Sequence, residues 1–258
     1  MGWRTTRPGP FVAGRTIRSN ALILQLDPDD PDAEAAEIAR LAAQNQAAIE
    51  NALQAQLAQV ATAEDALQLQ RIADALPESD LRLALETLLR ESAGRGVRVT
   101  ADKLSQLALG VNWRLSNEAA RLWAQNYSYE LVSLLTENTR AMLADAIAAW
   151  VDSGEPLGTL IDGVASIFGA ARAEAIAVTE ATRAYAEGSF TLYEQAGFNT
   201  RPAEGDRPPA HPRCRCWVSL AEVKPGEWHY LWLTAQDELV CPICAPRHLT
   251  SIGFAGRR

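Results

Sequence analysis

Two pairs of cysteines are the residues best suited to chemistry: Cys214-Arg215-Cys216 and Cys241-Pro242-Ile243-Cys244, with His211 before the first pair and His248 after the second. If Cys214 and Cys216 lie on a strand, side chains two apart share a face and both sulfurs can reach one ion. A Cys-x-x-Cys turn offers two more sulfurs from the other side. Tetrahedral Zn2+ takes four Cys or Cys/His ligands from two such pairs, and the 24 residues between the pairs are enough to fold back once. The spacing therefore suggests a structural zinc site, with Cys214, Cys216, Cys241 and Cys244 as first ligands and His211 or His248 as substitutes. A disulfide pair and free buried thiols are the alternatives. His229 has no such neighbour and reads as an ordinary packed or surface histidine.

A catalytic zinc needs an open coordination position and a general base. The sequence contains no His-Glu-x-x-His, and no His-x-Glu paired with Pro-Cys-x-x-Cys. Cys–His nucleophilic chemistry with His211 or His248 is formally possible, but nothing singles out one thiol. A phosphate-binding Walker loop and a Gly-x-Gly-x-x-Gly turn are both absent. The expectation is a protein that is not an enzyme. Glu180 admits two readings. Ala177, Ala184 and Gly188 share its helix face and would let another backbone come close and bury the carboxylate, or Glu180 forms an exposed pair with Arg183.

The elements that must position these residues are mostly helices. Asp27-Pro28-Asp29-Asp30-Pro31 suits a helix start, and Ile38, Ala42, Asn45, Ile49, Leu53, Leu57 and Val60 then recur at steps of three and four. Pro77 ends or kinks this region. A second helix over 78–92 is expected to stop at Gly94 and Gly96, with Thr100 capping a short third one. Ser116 is the expected N-cap of a long helix with Ala124, Tyr127, Leu131, Leu134, Met142, Ala146 and Trp150 on one stripe, closed by Gly154, and Pro156 opens the next. Another helix runs over 170–196 and ends at Gly197. Beyond it lie all the cysteines and histidines, with strands expected over 216–220 and 229–234. The fold class is thus mainly α, with long amphipathic helices followed by a small α+β cysteine-rich module expected to bind zinc. Four regions follow: a flexible basic arm (1–30), a helical N-terminal region (31–112), a helical core (113–197) and a Cys/His-rich α+β module (198–258).

Alanine, leucine and glutamine dominate the first two thirds of the 258 residues, in keeping with this helical reading. The net charge of −8 would repel a polyanion as a whole, so nucleic-acid contact must be local. Residues 1–26 hold Arg4, Arg7, Arg15 and Arg18 and no acid, which reads either as a disordered tail or as a basic arm for DNA. The apolar run from Ala21 to Leu26 is interrupted by Gln25 and too short for a secretory signal, and no run is long enough to span a membrane. A cytoplasmic protein is expected, in which thiols stay reduced.

Three segments together resemble the Mu F-like minor head proteins of the phage head-morphogenesis family. They are Arg172-Ala-Glu-Ala-Ile-Ala-Val-Thr179-Glu180-Ala-Thr182-Arg183-Ala-Tyr185-Ala-Glu-Gly188 with Tyr193-Glu-Gln-Ala-Gly197, then Pro208-Pro-Ala-His211-Pro-Arg-Cys214-Arg-Cys216, then Trp232-Leu-Thr-Ala-Gln-Asp237-Glu-Leu-Val-Cys241-Pro-Ile-Cys244. Tyr129-Glu-Leu-Val through Thr139-Arg140, and Gly154, resemble the family's preceding helices, so the likeness covers residues 113–248. The two cysteine segments stand in swapped order, since the family pattern puts the Cys-Pro-x-Cys segment first. A metal site depends on spatial neighbours, so the same ligands can still converge. The resemblance implies a virion component of a phage or prophage, present in the virion and host bacterial cytoplasm. It would act in head assembly beside the portal protein and the major capsid protein, with packaged DNA as a candidate partner of the basic arm. The rival readings are a zinc-dependent hydrolase or nuclease, or a toxin-associated module, on a phage-head-like domain. A zinc-ribbon-like DNA-binding module, drawing on Arg213, Arg215 and Arg247, is a third.

Overall fold

The computed structural model describes residues 22–23, 30, 32–105, 107, 109, 111–198, 200–237 and 240–256. Among the described residues, six α-helices and four strands follow in chain order: β1 (Leu22–Ile23), α1 (Ala33–Val60), α2 (Ala66–Asp74), α3 (Ser79–Ser105), α4 (Trp113–Ser153), α5 (Leu157–Val164), α6 (Ala170–Gln195), β2 (Trp217–Lys224), β3 (Glu227–Leu233) and β4 (Thr250–Phe254). The chain is mainly α with a small antiparallel sheet of order β1-β2-β3-β4, as the sequence implies. Leu22–Ile23 lie within the segment expected to be an arm, and they pair with β2 at Glu222 and Ala221. The arm's four arginines fall outside the described residues.

Helix α1 buries Ile38, Ala42, Asn45, Ile49, Leu53 and Val60, the face that the apolar periodicity marks out. It ends before Pro77: after Val60 the chain turns, and Asp65 caps α2 by accepting from the Gln68 amide at 2.7 Å.

Three expectations are corrected here. Gly94 and Gly96 do not stop a helix, because α3 runs through both to Ser105, and Thr100 is buried inside it rather than capping a new one. The reason lies in packing. A Cβ on Gly96 would overlap the Tyr185 carbonyl of α6, and one on Gly188 would overlap the Ala93 carbonyl of α3. Glycine at both positions lets these two backbones touch, a gain that outweighs its low helix propensity. Ser116 is not the cap of α4 either. Asn112 is, and the buried Ser116 hydroxyl donates to Gln195 Oε1 of α6 at 2.6 Å. On α4 the buried stripe runs through Ala120, Ala124, Leu131, Val132, Leu135 and Leu143, while Leu134 faces outward.

Helix α6 is the central element and packs against α3, α1 and α4. The hairpin β2–β3 turns at Gly226, where φ is +78°, a conformation that glycine adopts without strain. Its Trp217, Val218, Leu220, Trp228, Tyr230 and Leu233 belong to the same apolar cluster as the helices. A second, smaller cluster holds Cys214, Cys216, Cys244 and Trp232. The helical core and the cysteine-rich segment therefore share one interior. Deep in it, Lys103 of α3 pairs with Glu34 of α1 and donates to Ser219 Oγ of β2 at 3.4 Å. Among the described residues, no helix is long and apolar enough to cross a membrane.

Candidate metal centre

The site is built from two loops that leave the small sheet on the same side. The first, 211–216, runs into β2, and α6 holds it through two threonines one helical turn apart. Thr182 Oγ1 donates to the Cys214 carbonyl at 2.5 Å, and the Arg213 amide donates to Thr179 Oγ1 at 3.0 Å. Arg213 itself sits at φ +62°, so the backbone turns sharply just before Cys214. The second loop follows β3. Its Cys-x-x-Cys turn is closed by the Cys244 amide, which donates to the Cys241 carbonyl at 3.0 Å and to Cys241 Sγ at 3.3 Å. The loop is anchored at Gln236, whose amide donates to Asp32 Oδ1 at 2.8 Å, and at Asp237, which takes Arg215 through both carboxylate oxygens at 2.8 and 2.9 Å.

Five donor atoms converge. Cys214, Cys216 and Cys244 form one group, and His211, Cys241 and Cys244 form another; within each group the donor atoms lie within 4.8 Å of one another, and Cys244 belongs to both. The Cys214 and Cys244 sulfurs are 3.9 Å apart. Four thiolates around tetrahedral zinc at a Zn–S distance of about 2.3 Å would stand about 3.8 Å apart, so this spacing fits. His211 Nε2 lies 2.8 Å from Cys241 Sγ and 3.2 Å from Cys244 Sγ. Its Nδ1 donates to the Pro212 carbonyl at 2.7 Å, and a carbonyl has no proton to return, so the neutral ring keeps its lone pair on Nε2, facing the sulfurs. The group can hold a metal ion.

The electrostatics favour a cation. Hydrogen bonds from Cys216 and Cys244 pull the Cys214 thiol well below its usual range, while bonding to Cys214 pushes both of those thiols up. Burial raises Cys241, but the amides of the turn and the neighbouring His211 bring it down overall. The Cys214 sulfur raises His211 to about 9. Cys214 and Cys241 thus form thiolates readily while Cys216 and Cys244 are opposed, and a shared divalent cation is what relieves that opposition.

All four cysteines and His211 of the expected ligands come together; His248 does not join them. Its Nδ1 accepts from the Thr234 amide at 3.2 Å and lies 3.0 Å from Gln236 Nε2, so it buttresses the loop after β3. His229 is half-buried between Ser251 and Glu227. The three nearby arginines are engaged internally: Arg213 with the Ala171 carbonyl and Glu174, Arg215 with Asp237, and Arg247 over the Trp232 ring at 4.0 Å. Sequence reasoning assigned no role to Thr179 and Thr182. Their three-residue spacing, flanked by Ala175 and Ala186, was the available signal. Glu180 is buried, with Arg183 donating to it at 3.1 Å and Tyr127 hydrogen-bonded to it. Burial raises its carboxyl above the ordinary value, and Arg183 only partly offsets this. Of its two readings, the buried one holds.

No protein-family model, curated protein or solved structure matches this chain.

Proposed function

We propose that this chain is a non-catalytic minor head protein of the Mu F-like kind, acting in phage head assembly beside the portal, with one structural Zn2+ at the cysteine cluster. The observation that carries the reading is how the resembling segments interlock around α6. Arg172, which opens the helix motif, donates to Thr139 Oγ1 of α4 at 2.8 Å and to the Ile167 carbonyl at 2.7 Å. Thr179 and Thr182 of the same motif hold the His211–Cys216 segment, and that segment shares its sulfur cluster with Cys241 and Cys244. Residues that are far apart in sequence thus act on one another, which supports treating them as one motif in spite of their swapped order.

A structural role for the metal is supported by the space around it. The cleft beside the cluster, lined by His211, Arg215, Cys216 and Cys241 among others, has a volume of about 20 Å3. That is room for about one water molecule and not for a substrate. Zinc, rather than a harder ion, follows from thiolate and imidazole donors. Long helices, with no substrate-sized cleft beside this cluster among the described residues, suit a protein that works through partner surfaces.

The test is co-expression with the portal and major capsid proteins of the same element, followed by sedimentation of head assemblies. The chain is expected to sediment with the heads, and native mass spectrometry is expected to show about one zinc per chain. Metal-dependent hydrolysis of nucleic acid that disappears in Cys214→Ser would overturn the proposal in favour of the hydrolase reading.

A further inference from the structure

Away from the metal centre, α3 and α4 form a second concave surface that the assembly reading does not use. The helices run antiparallel: Arg82 lies over the Tyr129 ring at 4.7 Å, while Gly94, twelve residues on, meets Asn117, twelve residues back. In this register two rows with four-residue spacing face each other, Arg90, Gly94 and Arg98 on α3 and Arg121, Asn117 and Trp113 on α4. These residues, with Glu91, line a cavity of about 240 Å3. Gly94 keeps the floor open, since a Cβ there would come within 3.2 Å of Asn117 Oδ1.

The charges in the groove are unequally committed. Arg121 is paired with Glu118 at 2.6 Å, and Glu91 accepts from Asn45 of α1 at 3.0 Å. Arg90 and Arg98 are exposed and have no hydrogen-bond or ion-pair partner among the described residues. Two turns of helix, about 12 Å, separate them. The N-terminus of α4 opens beside Arg98 with no acidic residue in its first turn, so its dipole adds to the positive potential. Trp113 stands there half-exposed, with the Arg114 guanidinium 5.8 Å from its ring centroid.

We propose that this groove binds a nucleotide, with the phosphate between Arg98 and the α4 N-terminus and the base stacked on Trp113. Arginine forks match phosphate oxygens two at a time, and an exposed indole offers a base its flat face. Trp113 distinguishes this ligand from a bare anion, and the cavity accommodates one nucleotide unit. Arg90 lies where a second phosphate would follow, so the unit is either a free nucleotide or one residue of a strand.

Calorimetric titration of the full chain with AMP, inorganic phosphate and a short oligoadenylate tests this independently of head assembly. AMP is expected to bind more tightly than phosphate. Arg98→Ala should weaken AMP by about tenfold, in line with the loss of a charge-assisted pair. Trp113→Ala should remove the advantage of AMP over phosphate. Both side chains are exposed, and unchanged helical circular dichroism with unchanged metal content shows that the variants fold. Oligoadenylate binding more tightly than AMP, with the excess lost in Arg90→Ala, assigns the site to a strand, whereas equal affinities assign it to the free nucleotide. No saturable AMP binding, or AMP affinity unaltered in both Arg98→Ala and Trp113→Ala, overturns the proposal.

Discussion

Thr182 and His211 act on the cysteine cluster in different ways, and each difference can be measured. Thr182 is not one of the converging donors, yet its hydroxyl fixes the carbonyl of Cys214 and with it the direction of that sulfur. Thr182→Val keeps the shape and removes the bond. Zinc affinity, read by competition with a chromophoric chelator, is expected to fall by about tenfold or more, the usual effect of losing an orienting contact. Unchanged affinity would mean that the loop holds itself. His211 is a question of protons. Its pKa of about 9 in the metal-free cluster, raised by Cys214, means that the ring is protonated at pH 7.5. A zinc ion that takes Nε2 must expel that proton, so His211 should contribute more to affinity as pH rises from about 6.5 to 9 and then level off. Calorimetry in buffers of different ionisation enthalpy should show one proton fewer released per zinc in His211→Ala. An equal proton count would leave the four cysteines as the ligand set.

Between elements, the buried Glu34–Lys103 pair links α1, α3 and β2. Burial pushes the Glu34 carboxyl up despite the lysine; burial also opposes the Lys103 ammonium, but Glu34 and Tyr193 together outweigh it and raise the lysine above its ordinary value. By linkage, a lysine raised in the fold contributes stability that is fully present below its ordinary range and lost as pH rises through the folded value, so the lysine's contribution is present at neutral pH. Lys103→Met strands a buried carboxylate and is expected to cost about 3–5 kcal/mol in urea unfolding. Adding Glu34→Leu should recover most of that loss, because a well-packed apolar pair can replace a buried ion pair. A double variant as unstable as the single one would show that Ser219 and the neighbouring tyrosines need the charges.

At the scale of the whole molecule, the shared interior determines what removing a metal from the proposed zinc site would do. Trp217 and Trp228 are packed with the helical core, whereas Trp232 sits among the cysteines with Arg247 over its ring. Chelation is therefore expected to redden and expose Trp232 while the helical signal and the other two tryptophans change little. A Trp232→Phe variant should lose most of the fluorescence response. If chelation exposes Trp217 and Trp228 as well, the metal supports the hairpin itself and not only the two loops. Either outcome separates from assembly, which sedimentation reads on its own.

The sequence by itself determined the helical character, the buried face of α1, the hairpin strands and the pairing of the four cysteines as candidate ligands, because period, turn residues and cysteine spacing are local signals. It misjudged α3 because Gly94 and Gly96 look like stops when only α3 is considered. What they permit is the approach of α6 and α4, contacts that exist only after folding. His248 was indistinguishable from His211 by spacing, and only the path of the chain between β3 and β4 turned it toward Thr234 and Gln236 instead of the sulfurs. The threonine grip on the metal loop, the buried Glu34–Lys103 pair and the two-row groove likewise join residues of different helices and strands. Their partners lie far away in sequence, so no local pattern could announce them; the packing of α6 and α3 decided them.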